Sequence, residues 1–210
     1  MKILELFAGS QSWGKVAESL GHEVFSVDWK PFEGIDLVLD IEQLEESMLP
    51  WLPDVVIDGR PCTTYSIAAV SHHRNHDGSA KTEFAAKCDR MNEMLNKLYI
   101  KWGCIYFIEN PRGMMRKMWF MKDMPRTTVT YCSYGDTRMK PTDIWSNNIR
   151  SMFNVNGWQP RPMCYNGNDN CHHEPAPRGS KTGTQGLKNN YERSKVPAEL
   201  CREILESIII

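Results

Sequence analysis

The stretch KILELFAGSQSWGKVAESLGHEVFSVD, residues 2–28, decides the architecture. KILELF reads as a buried strand, SWGKVAESLG as a helix closed by Gly21, and HEVFSVD as a second strand. Strand, helix and strand in that order form the unit of a parallel sheet. Working outward, LVLDI and DVVIDG give a third and fourth strand, and CIYFIEN a fifth that stops at Pro111. Between the fourth and fifth lie a polar loop, SHHRNHDGSAKT, and a long helix. In that helix Phe84, Cys88, Met91, Leu95, Leu98 and Trp102 recur at three- and four-residue spacing, which predicts one apolar face packed on the sheet. TTVTYCSYG and TDIWSN predict two further, antiparallel strands. From Met152 to Lys195 the chain turns rich in Gly, Asn and Pro with little periodicity, which predicts a loop-built appendage. VPAELCREILESIII restores a helix, with Pro197 in its first turn and Leu200, Ile204 and Ile208 on one side.

A chain of 210 residues, 41% hydrophobic and 24% charged, suffices for one domain with a full core and excludes two large ones. No apolar run is long enough to cross a bilayer, and MKILELFAGS lacks the features of a signal peptide. The expectation is a soluble, cytoplasmic protein with no membrane partner. Seven scattered cysteines there do not make a disulfide framework, so each is core filler, metal ligand or nucleophile. A net charge of -1 does not advertise a polyanion partner, yet it hides two basic clusters, residues 112–126 and 178–195.

In an open parallel sheet, ligands bind beyond the carboxyl ends of the strands. FAGS, residues 7–10, is a small-residue turn that lets a ligand approach the backbone. Asp28 ends the second strand, where a carboxylate can accept hydrogen bonds from ribose hydroxyls, and Asp40 ends the third. An ordinary turn and ordinary strand-end acids would look the same. The next two strand ends are more informative: DGRPCTTYS places Cys62 directly after Pro61, and FIENP places Glu109. Each also has a plainer alternative. Cys62 could be inert, Glu109 could cap a helix, and Arg138 could be half of a surface ion pair.

Taken together, LELFAGSQS, DGRPCTTYS, FIENP and YGDTRMKPT resemble, in the same order, the cofactor, Pro-Cys, Glu-Asn and Arg-x-Arg motifs of the DNA cytosine-5 methyltransferase family. The match suits a small, phage-like member with a reduced target-recognition region, in a bacterial or phage-infected cell. Four positions depart from the family: Glu5 stands for the usual Asp, Arg60 for a second Pro, Pro111 for Val and Lys140 for the second Arg. The resemblance implies a Rossmann-like α/β fold, mostly parallel with helices on both faces. Residues 1–146 would form the catalytic and cofactor-binding domain, 147–196 the recognition region, and 197–210 a helix packing back. It also implies S-adenosylmethionine as cofactor, lined by Phe7, Ala8, Gly9, Ser10, Asp28, Trp29, Asp40, Ile41, Asp58 and Pro61. Cys62 would add to carbon 6 of cytosine, Glu109 would serve ring nitrogen 3, and Arg138 and Lys140 would hold the base carbonyl and backbone. The SHHRNHDGS loop would close over a flipped nucleotide, with Ser66, His72, His73 and Arg74 against double-stranded DNA. The protein would act as a monomer, with a partner chain as one route to target reading. The same chemistry on RNA, and a non-catalytic DNA-binding relative, are the alternatives.

In the appendage, CYNGNDNCHH sets Cys164, Cys171 and His172 close enough to bind zinc, with Cys132 as a candidate fourth ligand. A polar loop with clustered cysteines is the plainer alternative. APRGSKTGTQG, with Arg178, Lys181 and Gln185, suits either phosphate contact or a solvated basic loop. So short a region predicts a short target, on the order of two base pairs.

Overall fold

The computed structural model describes residues 1–165, 167–175 and 189–209. Seven strands form one sheet: β1 (Lys2–Leu6), β2 (Glu23–Asp28), β3 (Leu37–Val38), β4 (Val55–Asp58), β5 (Ile105–Pro111), β6 (Arg126–Thr130) and β7 (Pro141–Ser146), in the order β3-β2-β1-β4-β5-β7-β6. Neighbours from β3 to β5 pair in parallel, whereas β7 runs antiparallel to both β5 and β6. The chain steps from β1 to β2 to β3 in one direction and from β4 to β5 in the other. The crevice of such a sheet therefore opens between the carboxyl ends of β1 and β4.

Alternation along the strands builds two cores. Leu4 and Leu6 of β1 and Val56 of β4 face one side, where they meet Met91 and Leu95 of α3 (Glu83–Trp102). Ile3, Val55 and Ile57 face the other, against Trp13 and Val16 of α1 (Ser12–Ser19) and Leu200 and Ile204 of α5 (Ala198–Glu206). Burying a leucine such as Leu95 contributes about 1.5–3 kcal/mol. This is the Rossmann-like α/β architecture expected from the sequence, with helices on both faces. Among the described residues two short α-helices remain, α2 (Val70–His73) and α4 (Asn190–Ser194). Among the described residues no helix is long and apolar enough to cross a membrane.

The structure corrects several details. Phe84 is 45% exposed, while Asp89, Asn92 and Asn96 are buried, so the covered face of α3 includes a polar row. The TTVTYCSYG strand stops at Thr130, where Tyr131–Tyr134 tightens into a 3-10 turn ended by Gly135 at φ 84°. Pro197 is the cap before α5 rather than a residue of its first turn. Trp158 of the appendage is buried against Phe107, so that stretch helps to close the second core.

Candidate active site

The FAGS turn leaves β1 with two non-glycine residues in left-handed backbone, Phe7 at φ 56° and Gln11 at φ 51°. Such positions cost about 1–3 kcal/mol each and mark sites whose surroundings enforce them. Two carboxylates do so here. Asp28 accepts the Gly9 amide at 3.0 Å and the Lys30 amide at 2.9 Å. Glu5 reaches beneath the start of α1 and accepts the Gly14 amide at 3.0 Å and the Trp13 amide at 3.4 Å. Burial pushes the Glu5 carboxyl up to about 8, outweighing those amides. A Cβ on Gly9 would stand 3.4 Å from the Phe32 ring and 3.5 Å from Asp28 Oδ2, so glycine keeps that corner open. Ala8 is buried behind the turn, Ser10 bonds Ser12, and Trp29 projects beside Asp28, 62% exposed.

Other expected members of the cofactor set have other occupations. Lys87 bonds Asp40 and holds its carboxyl below the usual range, and Asp40 Oδ1 also accepts the Glu42 amide at 3.3 Å. Ile41 lies in the core. Asp58 is fully buried and serves as counter-ion to Arg60, with Tyr99 Oη donating to it at 2.6 Å. Arg60 thus runs inward beneath its own loop. Its Nε bonds Asp58 at 2.9 Å and its Nη2 bonds Asn96 at 3.2 Å.

That loop carries half-buried Pro61 and Cys62. The Cys62 carbonyl accepts the Tyr65 and Ser66 amides at 3.0 and 2.8 Å, which fixes the tight turn after the thiol. Asn110, next to Glu109 on β5, donates to the Arg60 carbonyl at 2.9 Å. One side chain therefore sets the Pro-Cys loop in register with the Glu-Asn strand end. Burial raises the Cys62 thiol, the Glu109 carboxylate raises it further, and Lys140 opposes both.

Glu109 accepts the Tyr131 hydroxyl at Oε1, 2.7 Å away, with Lys140 Nζ 3.6 Å from the same oxygen. Both contacts leave Oε2 for a ligand. Lys140 also sits 4.4 Å above the Tyr131 ring. Arg138 does less for the base than expected. Its Nε bonds Asp136 at 2.8 Å, while Nη1 and Nη2 reach the carbonyls of Glu192, at 3.3 Å, and Lys195, at 3.2 Å. It clamps α4 across this end of the sheet, where Tyr191 meets Phe32 at 6.0 Å between ring centroids.

Arg74 is a correction. Expected against nucleic acid, it is buried, paired with Asp89 at 2.8 and 3.0 Å, and stacked 4.3 Å from the Tyr65 ring. A guanidinium enclosed in this way cannot meet a phosphate. Tyr65 Oη in turn donates to Asp89 at 2.7 Å and accepts from Asn92 at 2.8 Å. Asp89, Asn92, Asn96 and Tyr99 thus form a polar stripe along α3 that holds the Cys62 loop from beneath. None of the four belongs to a motif, and in sequence their three- and four-residue spacing describes a solvent-facing helix border equally well. Of the other expected contacts, Ser66 is half-buried and His72 exposed, while His73 Nδ1 lies 3.0 Å from Thr82 Oγ1. A cleft beside the loop is lined by Tyr65, Ile67, Val70 and three cations, of which Arg112 and Lys117 are exposed while Arg116 is half-buried and paired with Asp143.

In the appendage, Cys164 and Cys171 meet Cys132 as expected, but the imidazole beside them belongs to His173. His172 turns away, its Nε2 lying 3.1 Å from the Asp136 carbonyl oxygen. Arg178, Lys181 and Gln185 lie outside the described residues.

No family model matches the chain, and no curated protein does. Among solved structures it is similar to a methyltransferase of Entamoeba histolytica, at 12% identity and a TM-score of 0.49, over 70% of this chain and 52% of that one. A SAM-dependent methyltransferase of Archaeoglobus fulgidus aligns at 14% identity and a TM-score of 0.42, over 69% of this chain and 85% of the other. A DNMT2 variant of Spodoptera frugiperda aligns at 14% identity and a TM-score of 0.47, over 78% of this chain and 55% of that one. The chain spans about half the length of the first and third of these. The assignment of chemistry therefore rests on the chain's own side chains.

Proposed function

We propose that this protein is an S-adenosylmethionine-dependent methyltransferase acting on carbon 5 of cytosine in DNA, with short sequence specificity and a covalent Cys62 adduct. The observation that carries the reading is the Asn110 bond to the Arg60 carbonyl, which sets Cys62 and Glu109 at the ends of neighbouring strands. A thiol that feels both a carboxylate and a lysine electrostatically fits addition to an electron-poor ring.

The residues at the β1 and β2 ends fit the cofactor. The Gly9 corner is open, Asp28 has acceptor capacity beyond its two amide bonds, and exposed Trp29 offers a face for an aromatic base. When bound, S-adenosylmethionine supplies an electrophilic methyl group. The chain's task is to make carbon 5 nucleophilic. Cys62 adds as thiolate to carbon 6, and Glu109 Oε2 shares a proton with nitrogen 3 as negative charge develops in the ring. Tyr131 and Lys140 fix the Glu109 carboxylate from its other oxygen. Once carbon 5 has taken the methyl group, its proton passes to water, the electron pair re-forms the ring double bond, and Cys62 leaves carbon 6 as thiolate. Exposed Ile67, beside the loop, suits contact with an opened base stack, and Arg112 and Lys117 suit phosphates.

The test is incubation of wild type and Cys62→Ala with labelled cofactor and either DNA or RNA containing 5-fluorocytosine. Wild type should become covalently trapped on DNA, because fluorine cannot leave as a proton does. Cys62→Ala should bind S-adenosylhomocysteine normally and transfer nothing. Trapping on RNA alone would move the substrate, and turnover by Cys62→Ala would refute the mechanism.

A further inference from the structure

We infer that Cys132, Cys164, Cys171 and His173 bind one zinc ion that fastens the appendage to the turn beneath Glu109. The three sulfurs and the imidazole nitrogen all lie within 4.8 Å of one another, although the first is 32 residues before the second in the chain. Zinc takes thiolate sulfur at ~2.3 Å and imidazole nitrogen at ~2.0–2.1 Å in a tetrahedron. That geometry places sulfur and nitrogen about 3.6 Å apart. The Cys164 Sγ to His173 Nδ1 distance is 3.6 Å. Three thiolates and one imidazole complete the tetrahedron, which makes this a structural site with no open position for a substrate. Asn168 Nδ2 lies 3.3 Å from Cys164 Sγ, a donor suited to steadying a ligating thiolate.

The backbone already brings the two halves together. The Cys164 amide bonds Thr130 Oγ1 at 2.8 Å, the Glu174 amide bonds the Thr137 carbonyl at 2.8 Å, and the Asn168 carbonyl accepts the Cys171 amide at 3.1 Å. His172 turns outward to the Asp136 carbonyl, and the imidazole that faces the sulfurs is that of His173. The consequence reaches the active site through the chain itself. Cys132 follows Tyr131, whose hydroxyl holds Glu109, and the same turn leads into Asp136 and Arg138. A metal at Cys132 would lock that turn as well as the appendage. The inference stands on these four residues and does not depend on the substrate assigned above.

The test uses full-length protein prepared under reducing conditions, with no chelator and no metal-affinity column. Elemental analysis should find about one zinc per chain. Exchange with cobalt(II) should give the visible absorption of a tetrahedral thiolate site. In chelator competition His173→Ala should bind zinc more than ~10-fold more weakly, whereas His172→Ala should bind it as wild type does. Wild-type metal content does not require any variant to fold. Metal-free protein that takes up no cobalt, a disulfide among the three cysteines in freshly reduced protein, another metal in place of zinc, or loss of zinc in His172→Ala alone would each overturn the inference.

Discussion

Arg60 offers the sharpest test of how the nucleophile loop is held. Its guanidinium and the Asp58 carboxylate are both fully shielded from solvent, and Asp58 Oδ1 has no hydrogen-bond partner. Arg60→Met removes the positive charge and leaves Asp58 buried, with Tyr99 as its remaining donor. Breaking a buried pair from one side costs about 3–5 kcal/mol. For a chain of this size each kcal/mol moves Tm by roughly 2–4 °C, so a fall on the order of 6–20 °C is expected. Arg60→Pro, which installs the residue usual at this position in the family that the motifs resemble, should lose as much, because here the proline would strand the same carboxylate. The double variant Asp58→Asn/Arg60→Met leaves no charge buried and should recover most of the loss. Urea unfolding of wild type, both single variants and the double measures the coupling. A loss below ~1 kcal/mol in Arg60→Met, as for an exposed pair, or no recovery in the double, would refute the reasoning.

Two further outcomes follow from the titrating groups. Burial raises the Glu5 carboxyl from 4.5 to about 8, so Glu5 is neutral in the folded protein at neutral pH. Its contribution is fully present below the unfolded value and is lost as pH climbs towards 8, at ~1.4 kcal/mol for each pH step of one between those limits. Glu5→Gln keeps an acceptor for the Gly14 amide and should abolish that decline, matching wild type at pH 4.5 and exceeding it at pH 8.5 in urea unfolding; parallel pH curves would count against it. Lys140 lowers the Cys62 thiol against burial and Glu109. Lys140→Met should therefore displace the acid limb of the kcat/KM pH profile to higher pH. Below the limb the rate should fall about tenfold for a displacement of one on the pH scale, whereas a purely structural role would lower the plateau without moving the limb.

β1, β4 and β5 were legible because each is a short, largely apolar run buried on both faces, and the sequence placed Cys62 and Glu109 just beyond or within two of these runs. Cys62 and Glu109 occupy neighbouring ends for that reason. The supports were not legible. Asp89, Asn92 and Asn96 flank an apolar stripe, which in sequence describes the solvent border of a helix as well as a buried row. What distinguishes the two is the arrival of Arg74, Tyr65 and Arg60 from loops remote in the chain. Arg74 itself sits among polar residues, as an exposed arginine would. His172 and His173 are adjacent in a segment without regular structure, so spacing alone cannot choose between them.

The burial of Arg74 moves the proposed phosphate contacts to the next loop, and the packing shows how closely that loop is joined to the nucleophile. The Met114 amide donates to the Tyr65 carbonyl at 2.7 Å, and a Cβ on Gly113 would stand 2.5 Å from that same oxygen. Glycine is thus required at 113 by the approach of two backbones, one three residues beyond Cys62 and the other four beyond Glu109. Arg112 lies directly before this junction, its own amide bonded to the Pro141 carbonyl at 2.9 Å, and Lys117 closes the short 3-10 turn Met114–Lys117 after it. The backbone that carries these cations is thus bonded to the Cys62 loop through the Tyr65 carbonyl. Phosphate contact at Arg112 and Lys117 would therefore place a backbone at a fixed distance from Cys62, which is what presenting one base to a thiol requires.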